Sequence, residues 1–315
     1  MLTGSPARRR QVDYQAILEE ISTQVRQHLG KGKVADYIPA LARVPADKFG
    51  MVVRTVDGDE YRVGNAEEPF SIQSISKLFV LMLAVSRLGD LVWTRVGKEP
   101  SGDPFNSLVL LEHEHGVPRN PFINAGALVV LDLLMHGVRD SRRLIRDYLR
   151  VLSQNFALDF DRHIARSERR HAHTNLALAH LMKSHGQIAG HVDRLLDVYC
   201  HQCSLAASCL DLARACLPLA AGGYSPLLGE AVLTARQARR INALMLTCGT
   251  YDSVGSFAYR VGLPAKSGVG GGIVALVPGV LSVAVWSPEL DRSGNSYVGT
   301  AALELFTTIT RHSVF

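Results

Sequence analysis

Patterns typical of β-strands occur only near the two ends of this chain, whereas its long middle part repeats with helical periodicity. The five predicted strands span 50–56, 61–63, 256–261, 272–277 and 280–286. Asp57-Gly58-Asp59 separates the first pair and Pro278-Gly279 the last pair, which predicts two hairpins. We therefore expect one antiparallel five-stranded sheet to which both ends of the chain contribute.

Helical patterns flank and separate these strands. Apolar residues repeat at helical spacing from Tyr14 to Leu29 and again from Val298 to Ile309, so a helix near each end can cover the apolar face of the sheet. The middle part is helical with short breaks at 97–104, 116–121, 168–174 and 222–229. These patterns predict an α+β protein, in which the sheet and its terminal helices pack beside an all-helical lobe.

The same patterns predict how the chain is divided. We expect residues 1–315 to form a single two-lobed unit, with 1–73 and 253–315 in the sheet lobe and 74–252 in the helical lobe. The chain crosses between the lobes at Ser74, and clefts between lobes commonly bind small molecules. A site is therefore expected where Ser74 faces Lys266-Ser267-Gly268 from the sheet.

Composition excludes several classes of partner. The net charge of +5 is modest and no segment resembles a nucleic-acid-binding module, so no nucleic-acid partner is predicted. The longest apolar stretches, near 123–135 and 272–286, are too short or are interrupted by Pro278-Gly279, so none is predicted to span a membrane. The first residues are basic but lack the apolar core of a secretory signal, which predicts a cytoplasmic protein without a membrane partner.

Two short motifs suggest metal ligands but have better explanations. Cys200 and Cys203 are spaced as C-x-x-C, yet no second pair of ligands follows at a usual zinc spacing. The Glu-His-Glu-His segment at 112–115 does not match H-E-x-x-H. The five cysteines are odd in number and four lie at 200–216, so buried free thiols are predicted and a disulfide framework is not. No metal site is predicted.

Arginines recur at helical spacing in the segment from 139 to 150. They are Arg139, Arg142, Arg143, Arg146 and Arg150. We interpret them as a solvated helix face, with contact to an anion or to another subunit as the alternative.

Ser74 and Lys77 place a hydroxyl and an amine three residues apart at the start of an apolar helical run. Side chains at i and i+3 share one helix face, with Cβ atoms about 5–6 Å apart. A lysine kept neutral by burial can accept the serine proton and make the hydroxyl a nucleophile. The alternative is that Ser74 caps the helix and Lys77 lies on the surface. Burial is favoured because the neighbours are apolar and a cation is unfavourable at a helix N-terminus.

Lys266-Ser267-Gly268 follows the S-x-x-K motif later in the chain. S-x-x-K and K-[ST]-G in this order are typical of serine acyl-transfer enzymes of the β-lactamase and penicillin-binding type. Ser153-Gln154-Asn155 also matches the S-x-N motif of those enzymes, but we interpret that match as a coincidence.

Longer motifs resemble the serine-dependent glutaminases, in order and from about residue 31 to 311. The motifs are KVADYIPALARV (33–44), FSIQSISK (70–77), GKEPSGDPFN (97–106), RNPFINAGALVV (119–130), SERRHAHTN (167–175), VYCHQCS (198–204), TCGTYD (247–252), VGLPAKSGVGGGI (261–273) and WSPELDRSGNS (286–296). The resemblance implies a fold similar to that of serine β-lactamases and hydrolysis of L-glutamine to L-glutamate and ammonia. It also implies a homo-oligomer, a dimer or tetramer, and no cofactor.

The resemblance implies catalytic roles that make chemical sense. Ser74 would attack the side-chain amide, and Lys77 would act as the general base. The hydroxyls of Tyr37 and Tyr251 would relay or donate the proton to the departing ammonia. Backbone N–H groups of Ser74 and Val269 would form the oxyanion hole.

The resemblance also implies a set of substrate-binding residues. Glu168 would bind the α-ammonium group, and the remaining polar atoms of the substrate would contact Gln73, Asn124, Asn175 and Tyr199. Taken singly, each has another explanation. Glu168 could be a surface carboxylate, Asn124 a helix cap, and the tyrosines packing residues.

One departure from the family concerns residues 169–174, which read Arg-Arg-His-Ala-His-Thr where animal members have a more acidic, glycine-containing loop.

Two other functions stay open: a β-lactamase- or esterase-like serine hydrolase, and a sensor of the same fold that binds a ligand without turnover. The lack of a visible export signal argues against both. Glu168 favours a zwitterionic substrate.

Overall fold

The structure is a computed structural model that describes residues 12–101 and 108–315, so residues 1–11 and positions 102–106 of the 97–106 motif lie outside it. Within the described ranges the strands are β1 (Lys33–Val34), β2 (Gly50–Thr55), β3 (Glu60–Gly64), β4 (Phe70–Ser71), β5 (Asp159–Phe160), β6 (Leu205–Ala207), β7 (Tyr224–Ser225), β8 (Glu230–Ala231), β9 (Ala265–Ser267), β10 (Gly272–Val277), β11 (Leu281–Trp286) and β12 (Glu289–Leu290). The helices are α1 (Tyr14–Gln24), α2 (Ser76–Leu88), α3 (Leu108–His113), α4 (Asn124–Met135), α5 (Ser141–Ser153), α6 (Arg162–Arg170), α7 (His173–Ser184), α8 (Val192–Cys203), α9 (Cys209–Ala220), α10 (Ala235–Cys248), α11 (Val254–Val261) and α12 (Tyr297–Thr310).

The main sheet contains five antiparallel strands in the order β3-β2-β11-β10-β9. Both predicted hairpins form. Strand β11 pairs with β2 from Leu281 opposite Thr55 to Trp286 opposite Gly50, so strands from the two ends of the chain meet inside one sheet. The predicted α+β class with an antiparallel five-stranded sheet is confirmed.

The edge strand of this sheet differs from the prediction. Residues 256–261 were expected to form a strand but belong to α11, and the fifth strand is β9, which carries Lys266 and Ser267. The alternation of Phe257, Tyr259 and Val261 suggested a strand. In the structure Phe257 and Val261 are buried, whereas Tyr259 is 92% exposed. Residues four apart share one helix face, so burial of that face favours a helix.

Both faces of the sheet are buried. Along β10, Ile273, Ala275 and Val277 pack in a core with α1, α11 and α12, whereas Val274 and Leu276 pack in the core of the helical part. This alternation follows from the two-residue period of a strand. The terminal helices therefore cover one face as predicted, and α9 lies against the other.

Helix α2 is central to the helical part. All its residues from Ser76 to Val85 are buried, as expected for a helix that is apolar on all sides. A small sheet in the order β4-β6-β5 was not predicted, because strands of two or three residues are too short to show a periodicity. The break expected at 168–174 is also shorter, since α6 extends to Arg170 and places Glu168 on a helix.

No helix in the described ranges is both long and apolar enough to cross a bilayer. All five cysteines are buried free thiols, as predicted. The division into lobes of 1–73 with 253–315 and of 74–252 stays a prediction.

Candidate active site

Ser74 lies in the 3₁₀ turn Gln73–Ile75, directly before α2. Gln73 has a φ of +48°, a left-handed conformation that is strained for a residue with a side chain and is often found at functional sites. The N-cap of α2 is Ile75, and no side chain caps the helix. The interpretation of Ser74 as a helix cap is therefore wrong. Its hydroxyl instead forms a hydrogen bond with Tyr251.

The K-S-G segment packs directly against this turn. A Cβ atom on Gly268 would lie 2.5 Å from the carbonyl oxygen of Ile72, and one on Gly270 would lie 2.1 Å from that of Ser71. Only glycine permits such a close approach of two backbones. Between these glycines, the backbone N–H of Val269 donates to the Tyr251 hydroxyl. The Ser74 side chain and the Val269 N–H therefore meet at the same tyrosine oxygen.

Lys77 is buried in the first turn of α2, with 2% of its surface exposed. Its amine donates to the carbonyl oxygen of Phe122 at 3.1 Å and to Oδ1 of Asn124 at 2.6 Å. Burial lowers the pKa of Lys77 to about 8, against smaller opposing effects of Cys203 and Glu168. The prediction of a buried lysine is confirmed, and the surface alternative is wrong.

A second buried lysine, Lys266, lies over the ring of Tyr251. Its amine donates to the carbonyl oxygens of Gly249 at 3.0 Å and of Ser267 at 2.5 Å, and lies 4.7 Å from the centre of the Tyr251 ring. Burial, and secondly the charge of Lys77, holds the pKa of Lys266 well below its usual range. The K-S-G motif identified this residue, but the sequence indicated no contact with Tyr251.

Tyr251 itself has a raised pKa, mainly because it is buried. Its hydroxyl therefore stays protonated at neutral pH, and it donates to the carbonyl oxygen of Ser267 at 3.5 Å.

Three polar residues form a network beside Lys77. Oδ1 of Asn124 accepts from Lys77 and from the Tyr199 hydroxyl at 3.3 Å, while Nδ2 of Asn124 donates to Oδ1 of Asn175 at 2.9 Å. Asn124 begins α4, but the cap position is Ile123, so the interpretation of Asn124 as a cap is wrong. The network fixes which end of the Asn124 amide faces the lysine amine.

Glu168 points into the protein, with 9% of its surface exposed. Its carboxylate forms a hydrogen bond with Gln73, but Oε1 is buried without a partner. Burial raises the pKa of Glu168 to about 7, opposed by the Gln73 bond and by the charge of Lys77. The neighbouring Arg169 pairs elsewhere, with Asp193 at 2.6 Å. The surface-carboxylate alternative is wrong, and the unpartnered oxygen is suited to a cationic group of a ligand.

Gln73 also forms a hydrogen bond with Ser71. Its Nε2 donates to Oγ of Ser71 at 2.9 Å, and that hydroxyl donates to the carbonyl oxygen of Cys203 at 2.9 Å. Only 2% of Gln73 is exposed. Burial, and next the charge of Glu168, raises the pKa of the Cys203 thiol, and the charge of Lys77 opposes this. The sequence did not indicate that Cys203 belongs to the site.

Tyr37 lies on the open side of this cluster, with 55% of its surface exposed. The pKa of its hydroxyl is nevertheless raised, first by the surrounding protein and then by the charges of Glu168 and Tyr251. We therefore place Tyr37 at the entrance, with its hydroxyl toward Glu168.

Other motifs lie outside this cluster. Ser153 is buried and donates to the Leu149 carbonyl at 2.8 Å within α5, and Asn155 donates to Asp211 at 3.0 Å, so both have structural partners. Within residues 12–101 and 108–315, no three histidine, cysteine, aspartate or glutamate side chains are grouped to hold a metal ion.

The fold and this cluster define a protein of the β-lactamase-like class. Residues 32–315 match the glutaminase family. A glutaminase of Caulobacter vibrioides (strain NA1000 / CB15N) is 62% identical over 298 residues, which cover 95% of this chain and 97% of the relative. A glutaminase of Paraburkholderia phytofirmans is 53% identical over 304 residues, covering 96% of this chain and 100% of the relative. The chain belongs to the glutaminase family.

Solved structures agree with this assignment. The probable glutaminase ybaS superimposes with a TM-score of 0.90 at 36% identity and covers 96% of this chain and 97% of its own. The probable glutaminase of Bacillus subtilis complexed with 6-diazo-5-oxo-L-norleucine has a TM-score of 0.86 at 32% identity, covering 97% of this chain and 98% of its own. Mglu in its glutamate form has a TM-score of 0.90 at 33% identity, covering 97% of this chain and 70% of its own. The chain is thus an amidohydrolase of the glutaminase type.

Proposed function

We propose that this enzyme hydrolyses the side-chain amide of L-glutamine through an ester formed on Ser74. The proposal rests on Ser74 with the buried Lys77 three residues later, together with Glu168, whose buried Oε1 has no partner. The first pair supplies a nucleophile and its base. The second supplies a site for the α-ammonium group of an amino acid.

In the first half of the reaction, the Ser74 oxygen attacks the side-chain carbonyl carbon of glutamine while neutral Lys77 accepts the hydroxyl proton. The resulting oxyanion is stabilised by the backbone N–H groups of Ser74 and of Val269, which exchanges its hydrogen bond with the Tyr251 hydroxyl for one to the oxyanion. The C–N bond then breaks, and the nitrogen leaves as ammonia with the proton that Lys77 took from Ser74, relayed through the Tyr251 hydroxyl, so that Lys77 is neutral again. This leaves a glutamyl ester on Ser74.

In the second half, water attacks the same carbonyl carbon and gives its proton to the base. The ester C–O bond breaks, glutamate is released, and Ser74 recovers its proton. A lysine pKa of about 8 supports this role, because a substantial fraction of the amine is neutral near pH 8.

Substrate selectivity is proposed to depend on Glu168 and the amides around it. Ionised Glu168 binds the α-ammonium group, and the bound charge in turn favours the ionised carboxylate. Gln73, Asn124, Asn175 and Tyr199 bind the α-carboxylate and the remaining polar atoms of the substrate. Tyr37, at the entrance, lies where it can contact the substrate and relay a proton.

The other two functions, a β-lactamase- or esterase-like hydrolase and a sensor without turnover, receive less support, because neither requires a buried carboxylate for an ammonium group. A homo-oligomeric state, dimer or tetramer, and a cytoplasmic location are proposed from the family resemblance and the sequence. Light scattering coupled to size-exclusion chromatography tests the oligomeric state.

The decisive experiment compares ammonia release from glutamine and from asparagine with hydrolysis of a chromogenic β-lactam. We expect rapid turnover of glutamine alone. Intact-protein mass spectrometry after acid quenching should reveal a glutamyl adduct, and peptide mapping should place it on Ser74. Turnover of the β-lactam but not of glutamine would overturn the proposed substrate. An adduct on another residue would overturn the proposed nucleophile.

A further inference from the structure

A basic depression of about 870 Å³ lies between α5, α6 and α8, apart from the candidate active site. Seven arginines and three aspartates line it, a formal excess of four positive charges. We call it the arginine basin. The arginines that line it are Arg139 before α5, Arg142, Arg143 and Arg146 on α5, Arg162 and Arg166 on α6, and Arg194 on α8.

The aspartates neutralise only part of the basin. Arg142 pairs with Asp197, and Arg146 lies 3.5 Å from Asp159. Asp140 caps α5 by accepting from the backbone N–H of Arg143 at 3.0 Å. The guanidinium group of Arg143 pairs with Asp147 at 3.3 Å, so the arginines on α5 are largely compensated.

The four other arginines of the basin are not compensated. In the described part of the chain, no carboxylate pairs with any of Arg139, Arg162, Arg166 and Arg194. Arg166 donates to the carbonyl oxygen of Arg162 at 3.1 Å, and Arg194 donates to those of Val138 and Arg139 at 3.2 Å. These bonds orient guanidinium groups but cancel no charge.

Two aromatic rings accompany these charges. Phe160 and His201 both line the basin, and their rings meet edge to face with centres 5.6 Å apart. Burial, and then the charges of Arg142 and Arg162, lower the pKa of His201 to about 4, so at neutral pH it adds an uncharged ring. The basin thus combines several cations with two uncharged aromatic rings.

We propose that the arginine basin binds a polyphosphate group, the chemistry shared by nucleoside triphosphates and inorganic tripolyphosphate. The planar guanidinium group donates two parallel hydrogen bonds to phosphate oxygens, and the uncompensated arginines match a ligand with several negative charges. The volume of about 870 Å³ is in the range of small-molecule sites and exceeds what a single phosphate fills. Phe160 and His201 offer a surface on which a nucleobase can stack.

Isothermal titration calorimetry of the full chain at low salt tests this inference with adenosine triphosphate, tripolyphosphate and inorganic phosphate. Wild type should bind both triphosphates saturably at one site per chain, and inorganic phosphate far more weakly. The variant Arg162→Gln/Arg166→Gln should weaken triphosphate binding by at least about tenfold. The matched control Arg236→Gln/Arg239→Gln, which removes the same charge from exposed positions on α10, should leave binding unchanged.

The comparison of ligands identifies the source of the polyphosphate. If adenosine triphosphate binds more tightly than tripolyphosphate, the aromatic rings contact its base. If the two bind equally, the site recognises the phosphate groups alone. No saturable binding by wild type, or equal weakening in the two double variants, would overturn the proposal. If Arg162→Gln/Arg166→Gln does not fold, as judged by thermal unfolding, Arg139→Gln/Arg194→Gln makes the same test with the other two uncompensated arginines of the basin. Because binding is measured directly, the result does not depend on the glutaminase proposal.

Discussion

The amine of Lys77 donates a hydrogen bond to Oδ1 of Asn124 over 2.6 Å. Its second acceptor is the carbonyl oxygen of Phe122, at 3.1 Å. A neutral amine has two N–H groups and one lone pair. When both N–H groups are engaged by these acceptors, the lone pair is left to accept a proton. In the proposed mechanism, Asn124 therefore orients the Lys77 amine as well as binding it.

Ser74→Ala should abolish glutamine hydrolysis while the protein stays folded, because it removes the covalent step. We expect kcat to fall by roughly 10⁴-fold or more. Ammonia release measures the activity and circular dichroism the fold. Residual activity within about tenfold of wild type would mean that Ser74 is not the nucleophile.

Ser76→Ala is the matched control for that variant. Ser76 is 1% exposed and its hydroxyl has no hydrogen-bond partner. Removing an unpartnered buried hydroxyl should change both the activity and the free energy of unfolding by little.

Lys77→Arg should be nearly inactive, because a guanidinium group stays protonated and cannot act as a base. In wild type, protonation of Lys77 removes the base, so kcat/KM for glutamine should fall as the pH drops below about 8. The pH–rate profile measures this. An arginine variant that retains activity would show that Lys77 supplies only charge, and the base would then be Tyr37 or Tyr251.

The structure brings together residues from separate family motifs. Lys77 contacts Asn124, which in turn contacts Tyr199 and Asn175. The roles assigned to these residues stay predictions, and one strand of the sheet was predicted wrongly. The helix over 254–261 was missed because Phe257, Tyr259 and Val261 alternate like a strand. The segment is helical because the core buries Phe257 and Val261 together, and this packing depends on tertiary contacts that a local pattern does not show.

Contacts made by backbone atoms in the site were also not predicted. The Phe122 carbonyl accepts from Lys77, and the Gly249 carbonyl accepts from Lys266. Neither interaction depends on the side chain of the accepting residue, so residue types carry no signal for it. The basic segment at 139–150 was predicted as a solvated face, whereas the structure shows that residues from α6 and α8 join it around a depression.

Gly270→Ala should reduce activity severely. Its Cβ atom would lie 2.1 Å from the Ser71 carbonyl oxygen, so either the serine turn or the Val269 backbone must move. A displacement of about 1 Å in an active site can cost on the order of 10²-fold in rate. Gly255→Ala is the control, because nothing lies within 4 Å of the added atom. Equal effects of the two substitutions on kcat/KM would contradict the proposed role of the close approach.

Glu168 should make the protein less stable as the pH rises. Its pKa is about 7 in the folded state against 4.5 in its ordinary state, so the folded protein binds the proton more tightly. The associated stability is fully present below about pH 4.5 and is lost as the pH rises through about 7. Relative to Glu168→Gln, wild type should lose on the order of 3 kcal/mol of unfolding free energy across this range.

Urea unfolding of both proteins near pH 4.5 and near pH 7.5, the two sides of the Glu168 titration, measures that difference. Lys77, with a pKa of about 8, stays mostly protonated in this window and contributes little to the change. Glu67→Gln, at a side chain that is 63% exposed, serves as the control and should follow wild type. If the unfolding free energies of wild type and Glu168→Gln differ by the same amount at both pH values, folding does not raise the pKa of Glu168.

Glu168→Gln should also show whether Glu168 acts in substrate binding or in the chemical step. An ammonium group bound without its carboxylate partner costs on the order of 3–5 kcal/mol, or roughly 10²–10³-fold or more in kcat/KM. We expect this loss with glutamine and a much smaller one with glutaramate, which lacks the ammonium group but keeps the amide and the carboxylate. Steady-state kinetics on both substrates makes the comparison. Equal losses would place Glu168 in the chemistry or in the structure of α6, and small losses on both would rule out its pairing with the ammonium group.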